Sequence, residues 1–294
     1  MIDWDAIAAA ISSATQQPFQ LGDHAAAGGG CINQIYRIRG LDHQQFFIKL
    51  NAAGKHAMFV AEAEGLNTIA VTNTIRVPRP ISHGIVSGQS YLVLEHLELS
   101  SRGDAKLLGE QLAALHRCSA KQFGFAQDNF IGTTPQPNTW TDDWVTFWRE
   151  RRLGFQLRLA AQNGYGGQLQ ILGEKLLDVL PAFFVGYTPP SALLHGDLWS
   201  GNHAFLSDGT PTIFDPATYY GDRECDLAMT ELFGGYPADF YAAYRATFPL
   251  NEGYTTRRDL YNLYHILNHA NLFGGGYARQ AQQMMQRLLA EIVG

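Results

Sequence analysis

The stretch His195-Gly196-Asp197-Leu198-Trp199-Ser200-Gly201-Asn202 decides how this 294-residue sequence is interpreted, together with Ile-Phe-Asp-Pro at 213–216. Asp197 directly follows an apolar run, so it is predicted to lie where a buried strand ends. A carboxylate in such a place can accept a proton from a hydroxyl nucleophile. Asn202 and Asp215 offer oxygen atoms of the kind that Mg²⁺ prefers. We therefore predict that Asp197 is a catalytic base and that Asn202 and Asp215 are metal ligands.

The order Asp-x4-Asn followed by a second Asp is the layout of the protein-kinase catalytic loop and its metal-binding Asp. That chemistry also needs a Lys on a strand and a Glu on a helix to hold the nucleotide phosphates. Lys49 lies at the end of the apolar run Phe-Phe-Ile-Lys-Leu, and Glu62 follows thirteen residues later on a predicted helix. Glu64 is the rival partner, but it points about 200° away around that helix. The sequence therefore favours a Lys49–Glu62 pair.

A glycine triplet at 28–30 lies between two predicted strands. Glycines in such a loop let backbone amides approach phosphate oxygens, which makes Gly29 and Gly30 candidate ATP-binding residues. The triplet is not a Gly-x-Gly-x-x-Gly motif and is by itself typical of a flexible turn. The one Gly-Lys pair, Gly54-Lys55, lacks the upstream glycine of a Walker A motif. A P-loop NTPase is therefore excluded.

The first third of the chain and the remainder differ in pattern, which predicts an α+β protein with a boundary after Leu97. Short strand-like runs and one helix alternate in the N-terminal part, residues 1–97: strands over 34–40, 44–50, 81–86 and 91–95, and a helix over 56–70. From residue 104 onward helical patterns dominate, first over 104–118 and then over 140–161. We therefore expect a small β-rich N-terminal lobe and a larger, mainly helical C-terminal lobe over 98–294.

The composition excludes several classes of protein. Lys and Arg total 21 against 27 Asp and Glu, a net charge of −6, so the sequence lacks the basic excess of a nucleic-acid-binding surface. No stretch approaches 18 consecutive apolar residues, and the start of the chain lacks a basic leader, so we expect neither a membrane span nor a signal peptide. Three widely spaced cysteines fit a reducing compartment. We expect a cytoplasmic protein that is a monomer or a weak dimer.

The short segment after Asp215 limits the kind of phosphate acceptor that we expect. Only residues 216–221 separate Asp215 from the next predicted helix, which leaves no room for the activation segment of a regulated protein kinase. The sequence therefore favours a small-molecule acceptor. Asp226 lies at the start of that helix, where it can interact with the helix dipole or brace the backbone of the catalytic turn by hydrogen bonds.

With these residues in view, the sequence resembles the fructosamine kinase (ketoamine kinase) family, which is related to the aminoglycoside and choline kinases. The matching stretches are GGGCINQIYRI (28–38), FFIKL (46–50), MFVAEAEGL (58–66), LLHGDLWSGN (193–202), FDPATYYGDRECDLAM (214–229) and LYHILNHANLFGGGY (263–277). They are distributed over almost the whole chain. The resemblance implies a protein-kinase-like bilobal fold.

The resemblance also implies ATP-dependent phosphorylation of a sugar hydroxyl on a ketoamine, a glycated amine that is either small or protein-bound. It assigns Asp197 as base, Asn202 and Asp215 as Mg²⁺ ligands, and Lys49 with Glu62 as the pair that holds the phosphates of ATP. It places the segment from Glu95 through His96 to Leu97 at the adenine-binding hinge. In the family the O3′ position is phosphorylated and the unstable product releases its amine, which is interpreted as deglycation repair.

Four further residues have two interpretations each. Trp199 either lines the acceptor site or packs against its neighbours. Asn268 and His269, on a late helix among apolar residues, either line the acceptor site or are satisfied buried polar groups. Cys31 is either an inert small residue or, as the resemblance suggests, a redox switch that forms an inhibitory disulfide.

Three alternatives to a ketoamine kinase stay open at this point. Another small-molecule kinase of the same fold would act on an aminoglycoside, choline or homoserine. An inactive binding protein of kinase fold would normally lack at least one of Lys49, Asp197, Asn202 and Asp215, all of which are present. A metallohydrolase is disfavoured because His265 and His269 have no His-Glu-x-x-His motif.

Overall fold

A computed structural model describes residues 2–28 and 32–293. The candidate residues Gly29, Gly30 and Cys31 lie outside the described residues, so their predicted roles stay predictions.

The helices and strands alternate in the first third of the chain. In chain order this part contains α1 (Trp4–Thr15), β1 (Leu21–Ala26), β2 (Gln34–Gly40), β3 (Gln45–Ala52), α2 (His56–Ala70), β4 (Pro80–Val86), β5 (Gln89–Glu95) and β6 (Leu99–Ser100). The predicted helix over 56–70 is confirmed with the same bounds, and the four predicted strands are confirmed to within two residues.

Helices dominate the rest of the chain, with short strands between them. In chain order it contains α3 (Ala105–Leu115), β7 (Asn129–Ile131), β8 (Thr134–Gln136), α4 (Trp144–Phe147), a π-helical turn (Trp148–Leu153), α5 (Gly154–Gln162), α6 (Gln168–Val179), β9 (Ala192–Leu194), β10 (His203–Leu206), β11 (Pro211–Ile213), β12 (Tyr219–Gly221), α7 (Glu224–Leu232), α8 (Ala238–Thr247), α9 (Tyr254–Phe273) and α10 (Tyr277–Val293).

The chain forms two compact units. One unit comprises the residues up to Asp104 together with His203–Pro216, and the other comprises Ala105–Asn202 and the residues from Ala217 onward. This division differs from the single boundary that the sequence suggested after Leu97. The reason is strand pairing: β10 lies between β6 and β11, so the hairpin at 203–213 joins the sheet-rich unit although it follows the first helical segment.

The sheet-rich unit is built on a five-stranded antiparallel sheet with the order β1-β2-β3-β5-β4. Successive side chains of a strand point to opposite faces. In β3 this alternation places Phe46, Ile48 and Leu50 in a core with Ile7 and Ile11 of α1. The same alternation turns Lys49 to the other face of the sheet.

The helical unit has its own core, in which α9 is central: most of its residues are buried, although many are polar. Trp144 and Trp148 lie in this core, at 3% and 1% exposed, whereas Trp140 is 39% exposed. The long helix predicted over 140–161 is interrupted by the π-helical turn. Within the described residues, no helix is both long and apolar enough to cross a membrane.

A buried ion pair in this unit gives a test of the packing. Arg257 of α9 donates two hydrogen bonds to Glu224 of α7, at 2.7 and 3.0 Å, and both side chains are almost fully buried. Because removal of one partner leaves the other charge buried and unpaired, Arg257→Met is expected to lower the free energy of unfolding by about 3–5 kcal/mol.

The neighbouring Arg258 supplies the control. It pairs with Glu231 at 3.0 Å, but its side chain is about one-third exposed. Arg258→Met is therefore expected to cost less than about 1 kcal/mol. Urea unfolding of both variants measures the difference, and equal losses would contradict the assigned importance of the buried pair.

Candidate functional site

Lys49 is a buried ammonium held by two carboxylates of its own unit. Its Nζ lies 2.6 Å from Oε1 of Glu62 and also contacts Oδ1 of Asp215. Burial by itself lowers the pKa of Lys49, but the negative charges of Asp215 and Glu62 outweigh burial and raise that pKa above its ordinary value. Lys49 is therefore a permanently charged group whose position is fixed from two sides.

The choice of Glu62 over Glu64 agrees with the contacts. Glu62 lies on the face of α2 that packs toward the sheet, where its carboxylate meets Lys49. Glu64 is exposed on a different face of the same helix. The 100° step of the helix separates the two residues, as the sequence indicated.

Asp215 follows β11 in a left-handed backbone conformation, with φ +59°. Asp tolerates this region better than most residues, because its short polar side chain can bond locally. Its side chain is about half exposed while one oxygen contacts Lys49. Asp215 therefore presents a charged oxygen set that can bind a hard cation.

In the helical unit, β9 leads directly into a tight turn at Gly196. Gly196 has φ +85°, and a β-carbon at this position would overlap the backbone carbonyl oxygen of Ala217. Only glycine fits both conditions. The turn brings Asp197 to a half-buried position immediately after the fully buried strand.

Asp226 holds this turn through its carboxylate. Its Oδ2 accepts from the backbone N–H of His195 at 2.7 Å and its Oδ1 from that of Gly196 at 2.8 Å. Burial raises the pKa of Asp226, but the hydrogen bond and charge of His116, together with His195 and the Gly196 amide, outweigh burial and lower the pKa. The carboxylate thus stays ionised, and the bracing role considered from the sequence is confirmed.

His116 was not singled out from the sequence. It is fully buried after α3, where its Nε2 donates to Asp226 at 3.1 Å and its Nδ1 meets the Tyr244 hydroxyl at 2.8 Å. Its partner in the brace lies 110 positions further along the chain, so no local pattern indicates the contact.

Asn202 closes the turn. Its Nδ2 donates to the backbone oxygen of Asp197 at 2.8 Å. This bond fixes the orientation of the amide and leaves its oxygen for another partner. Because Mg²⁺ prefers oxygen ligands, the amide oxygen of Asn202 and the carboxylate of Asp215 each fit the chemistry of that ion.

Trp199 is 39% exposed at the edge of the turn. Its ring lies over Gly201, where a β-carbon would overlap it, and its backbone oxygen accepts from the Tyr236 hydroxyl at 3.2 Å. The indole ring therefore lies at the surface and not in the core. In the sequence it follows Asp197 by two residues.

His269 lies among aromatic rings on α9, and its Nδ1 donates to the His265 carbonyl at 2.8 Å. The Phe233 and Tyr277 rings are 4.9 and 5.2 Å from its own. Burial lowers the pKa of His269, against the opposing effect of that backbone bond. His269 is therefore a neutral imidazole near pH 7.

Asn268 is placed differently from its neighbour. It is 3% exposed, its Oδ1 accepts from Gln156, and its Nδ2 faces the backbone oxygen of Ile131. The structure thus places Asn268 in the interior with both ends of its amide facing polar partners, and its predicted contact with the acceptor stays a prediction.

The predicted hinge residues lie at the end of β5. Glu95 pairs with Arg76 and approaches Arg79 to 3.8 Å, and its backbone N–H donates to the Arg79 carbonyl. His96 and Leu97 follow and are half-buried. Their predicted contact with adenine stays a prediction.

Comparison with known proteins agrees with this geometry. A family model described as fructosamine kinase matches residues 3–291. The chain belongs to the fructosamine kinase family. It is 53% identical, over 291 residues covering 97% of both chains, to a probable ketoamine kinase of Synechocystis. It is 43% identical over 268 residues to a chloroplastic protein-ribulosamine 3-kinase of Arabidopsis thaliana, covering 90% of this chain and 82% of that relative.

A solved structure gives the same result for the fold. A proposed fructosamine-3-kinase of Haemophilus somnus superimposes with a TM-score of 0.89 at 30% identity, over 97% of each chain. The protein-kinase-like α+β fold predicted from the sequence is confirmed, and membership of the fructosamine kinase family makes the chain a phosphotransferase.

The buried ion pair of Lys49 predicts its reactivity. Amine reagents attack the neutral amine, and each unit by which the pKa rises lowers the neutral fraction about tenfold. We expect acetic anhydride at pH 8.5 to modify Lys49 at least about tenfold more slowly than Lys175, which is exposed. Quantitative peptide mass spectrometry measures both rates.

Two variants of α2 serve as test and control. Glu62→Gln removes one of the two charges and is expected to speed the modification of Lys49, whereas Glu64→Gln, on the exposed face, is expected to leave it unchanged. Equal modification rates at Lys49 and Lys175 in the unaltered protein would refute the assigned ion pair.

Proposed function

We propose that this chain uses ATP to phosphorylate a sugar hydroxyl of a ketoamine, a glycated amine of the fructosamine or ribulosamine type. The observation that carries the proposal is the match to the fructosamine kinase model over nearly the whole chain. The names of the relatives support the substrate class, since they include ketoamine kinases and ribulosamine 3-kinases. The product would be a sugar phosphate that releases its amine, which fits a repair of glycation.

Asp197 is the proposed catalytic base. The turn that carries it is fixed by Asp226 on one side and has a glycine where no other residue fits, so the position of the carboxylate is set before substrate binds. Phosphoryl transfer passes through a loose transition state, so catalysis rests mainly on positioning and charge neutralisation. Asp197 would orient the sugar hydroxyl and accept its proton late in the reaction.

Lys49 and Glu62 are proposed to hold the phosphates of ATP. The ammonium of Lys49 is charged and restrained by Glu62, so it can neutralise phosphate oxygens without first being ordered. Gly29 and Gly30 would contribute backbone amides, and the segment Glu95–Leu97 would bind the adenine.

Magnesium is the proposed metal. Asn202 and Asp215 would be its protein ligands, an assignment that rests on their oxygen donors and on their order in the sequence. When bound, Mg²⁺ neutralises the charge on the phosphate oxygens. The orientation of the Asn202 amide by Asp197 supports this role, because it leaves the amide oxygen available.

The acceptor is proposed to contact Trp199 and His269. An exposed indole ring offers an apolar face to a sugar, and the neutral imidazole of His269 offers a hydrogen-bonding nitrogen beside aromatic rings. The glycated amine is either small or protein-bound, and both stay open. Three further points stay predictions: the cytoplasmic location, the monomeric or weakly dimeric state, and the redox role of Cys31.

The base assignment predicts the behaviour of Asp197→Asn. This variant keeps the size of the side chain but cannot accept the proton, so kcat is expected to fall by about 10²- to 10⁴-fold while the Kd for ATP stays unchanged. A coupled assay of ADP release and calorimetry with ATP measure the two quantities. Asp239→Asn, on the exposed first turn of α8, is the matched control. A kcat near that of the unaltered protein would contradict the assignment of Asp197 as the catalytic base.

The substrate class is tested by a panel of acceptors. ATP consumption is expected with fructosyl-lysine or ribulosyl-lysine and not with choline or kanamycin. Turnover of choline or kanamycin without turnover of either ketoamine would overturn the proposed function.

A further inference from the structure

Three amide side chains lie buried together beside the β7–β8 hairpin. Asn129 and Gln136 face each other across its two strands, and Asn138 follows two residues later. Asn129 is 4% exposed and the other two are fully buried. Burial of an amide costs free energy unless the amide is hydrogen-bonded, so we expect each of the three to have partners. Those partners indicate which part of the chain the cluster supports.

The amides bond to one another and to a tyrosine. The Oδ1 of Asn129 accepts from both Gln136 and Asn138, each at 2.8 Å. The Oε1 of Gln136 accepts from the Tyr264 hydroxyl at 2.7 Å. These bonds fix which end of each amide carries the nitrogen, so the direction of their remaining donors is determined.

The remaining donors point to two successive backbone carbonyls. Gln136 Nε2 donates to the oxygen of Ala217 at 3.0 Å, and Asn129 Nδ2 donates to the oxygen of Thr218 at 2.7 Å. All six residues of this network belong to the helical unit. Two side-chain hydrogen bonds therefore connect the β7–β8 hairpin to the backbone of residues 217–218.

That backbone in turn supports the Asp197 turn. The N–H of Ala217 donates to the His195 carbonyl at 2.9 Å, and the Ala217 oxygen that Gln136 holds is the atom lying directly against Gly196. Beyond Ala217, β12 continues beside β9, the strand that leads into the turn. A displacement of the Ala217 carbonyl would therefore be transmitted to His195 and Gly196.

We propose that Gln136 and Asn129 are positioning residues that set the geometry of the Asp197 turn through the carbonyls of Ala217 and Thr218. Asp226 fixes the amide side of the turn, and the hairpin fixes its carbonyl side. Hydrogen bonds are directional, so this network constrains the turn more tightly than an apolar contact of the same size. The functional consequence rests on the proposed role of Asp197 as catalytic base.

The test compares two glutamines of the helical unit. Gln136→Met removes the donors to Asn129 and Ala217, whereas Gln170→Met removes the donors to the Leu157 and Tyr165 carbonyls and touches neither Ala217 nor Thr218. Gln136 is fully buried and Gln170 is partly buried, so both variants are expected to lose stability. Only Gln136→Met is expected to lower kcat, by about tenfold to a hundredfold, with the KM for ATP unchanged. An equal kcat in the two variants would overturn the proposal.

A milder pair keeps the test decisive if Gln136→Met does not fold. Tyr264→Phe removes only the hydroxyl that orients the Gln136 amide, and Tyr254→Phe removes a comparable hydroxyl that bonds to Glu231. The first variant is expected to lower kcat several-fold with the KM for ATP unchanged, and the second is not. Identical kinetics in this pair would contradict the proposal.

Hydrogen exchange separates this proposal from the proposed function. In Gln136→Met and Tyr264→Phe, the amides of His195–Asp197 are expected to exchange faster, whereas in Gln170→Met and Tyr254→Phe they are not. This readout needs no substrate. Faster exchange in a protein that turns over no ketoamine would support the positioning role of Gln136 and reject the substrate class. Unchanged exchange with ketoamine turnover intact would reject the positioning role.

Discussion

The helical unit depends on one turn, in which Gly196 is fitted under the carbonyl of Ala217 while its amide is bonded to Asp226. The carbonyl requires a residue without a β-carbon, and the buried carboxylate, which His116 in the first place keeps ionised, accepts from the backbone amides of His195 and Gly196. These two conditions fix the path of the backbone between β9 and Asn202. The proposed base, Asp197, is placed by them.

The sheet-rich unit depends on a different constraint, the burial of the Lys49 ammonium. A buried charge is costly unless it is paired, and Glu62 and Asp215 supply the pairing from α2 and from the segment after β11. The hairpin at 203–213 belongs to this unit through its pairing with β6. The compact units therefore do not follow the order of the chain, and each carries its own part of the predicted kinase residues.

The sequence predicts best what short-range rules determine. Glu62 is separated from Glu64 by the period of one helix, and Asp197 is placed by the end of one strand. Asn268 and His269 show the limit, since adjacent residues of α9 differ in burial for reasons that only the packing of α5 and α7 against that helix supplies. The contacts of His116 with Asp226 and Tyr244, and those of Gln136 with Ala217 and Tyr264, span 81–128 positions, so no local pattern indicates them.

In the proposed reaction, a sugar hydroxyl of a ketoamine receives the phosphate of ATP. Phosphorus-31 NMR of the unaltered protein with ATP, Mg²⁺ and ribulosyl-lysine or fructosyl-lysine tests it most directly. We expect a new sugar-phosphate resonance that grows in step with ADP. ADP formed together with inorganic phosphate alone, or no loss of ATP with either ketoamine, would contradict it.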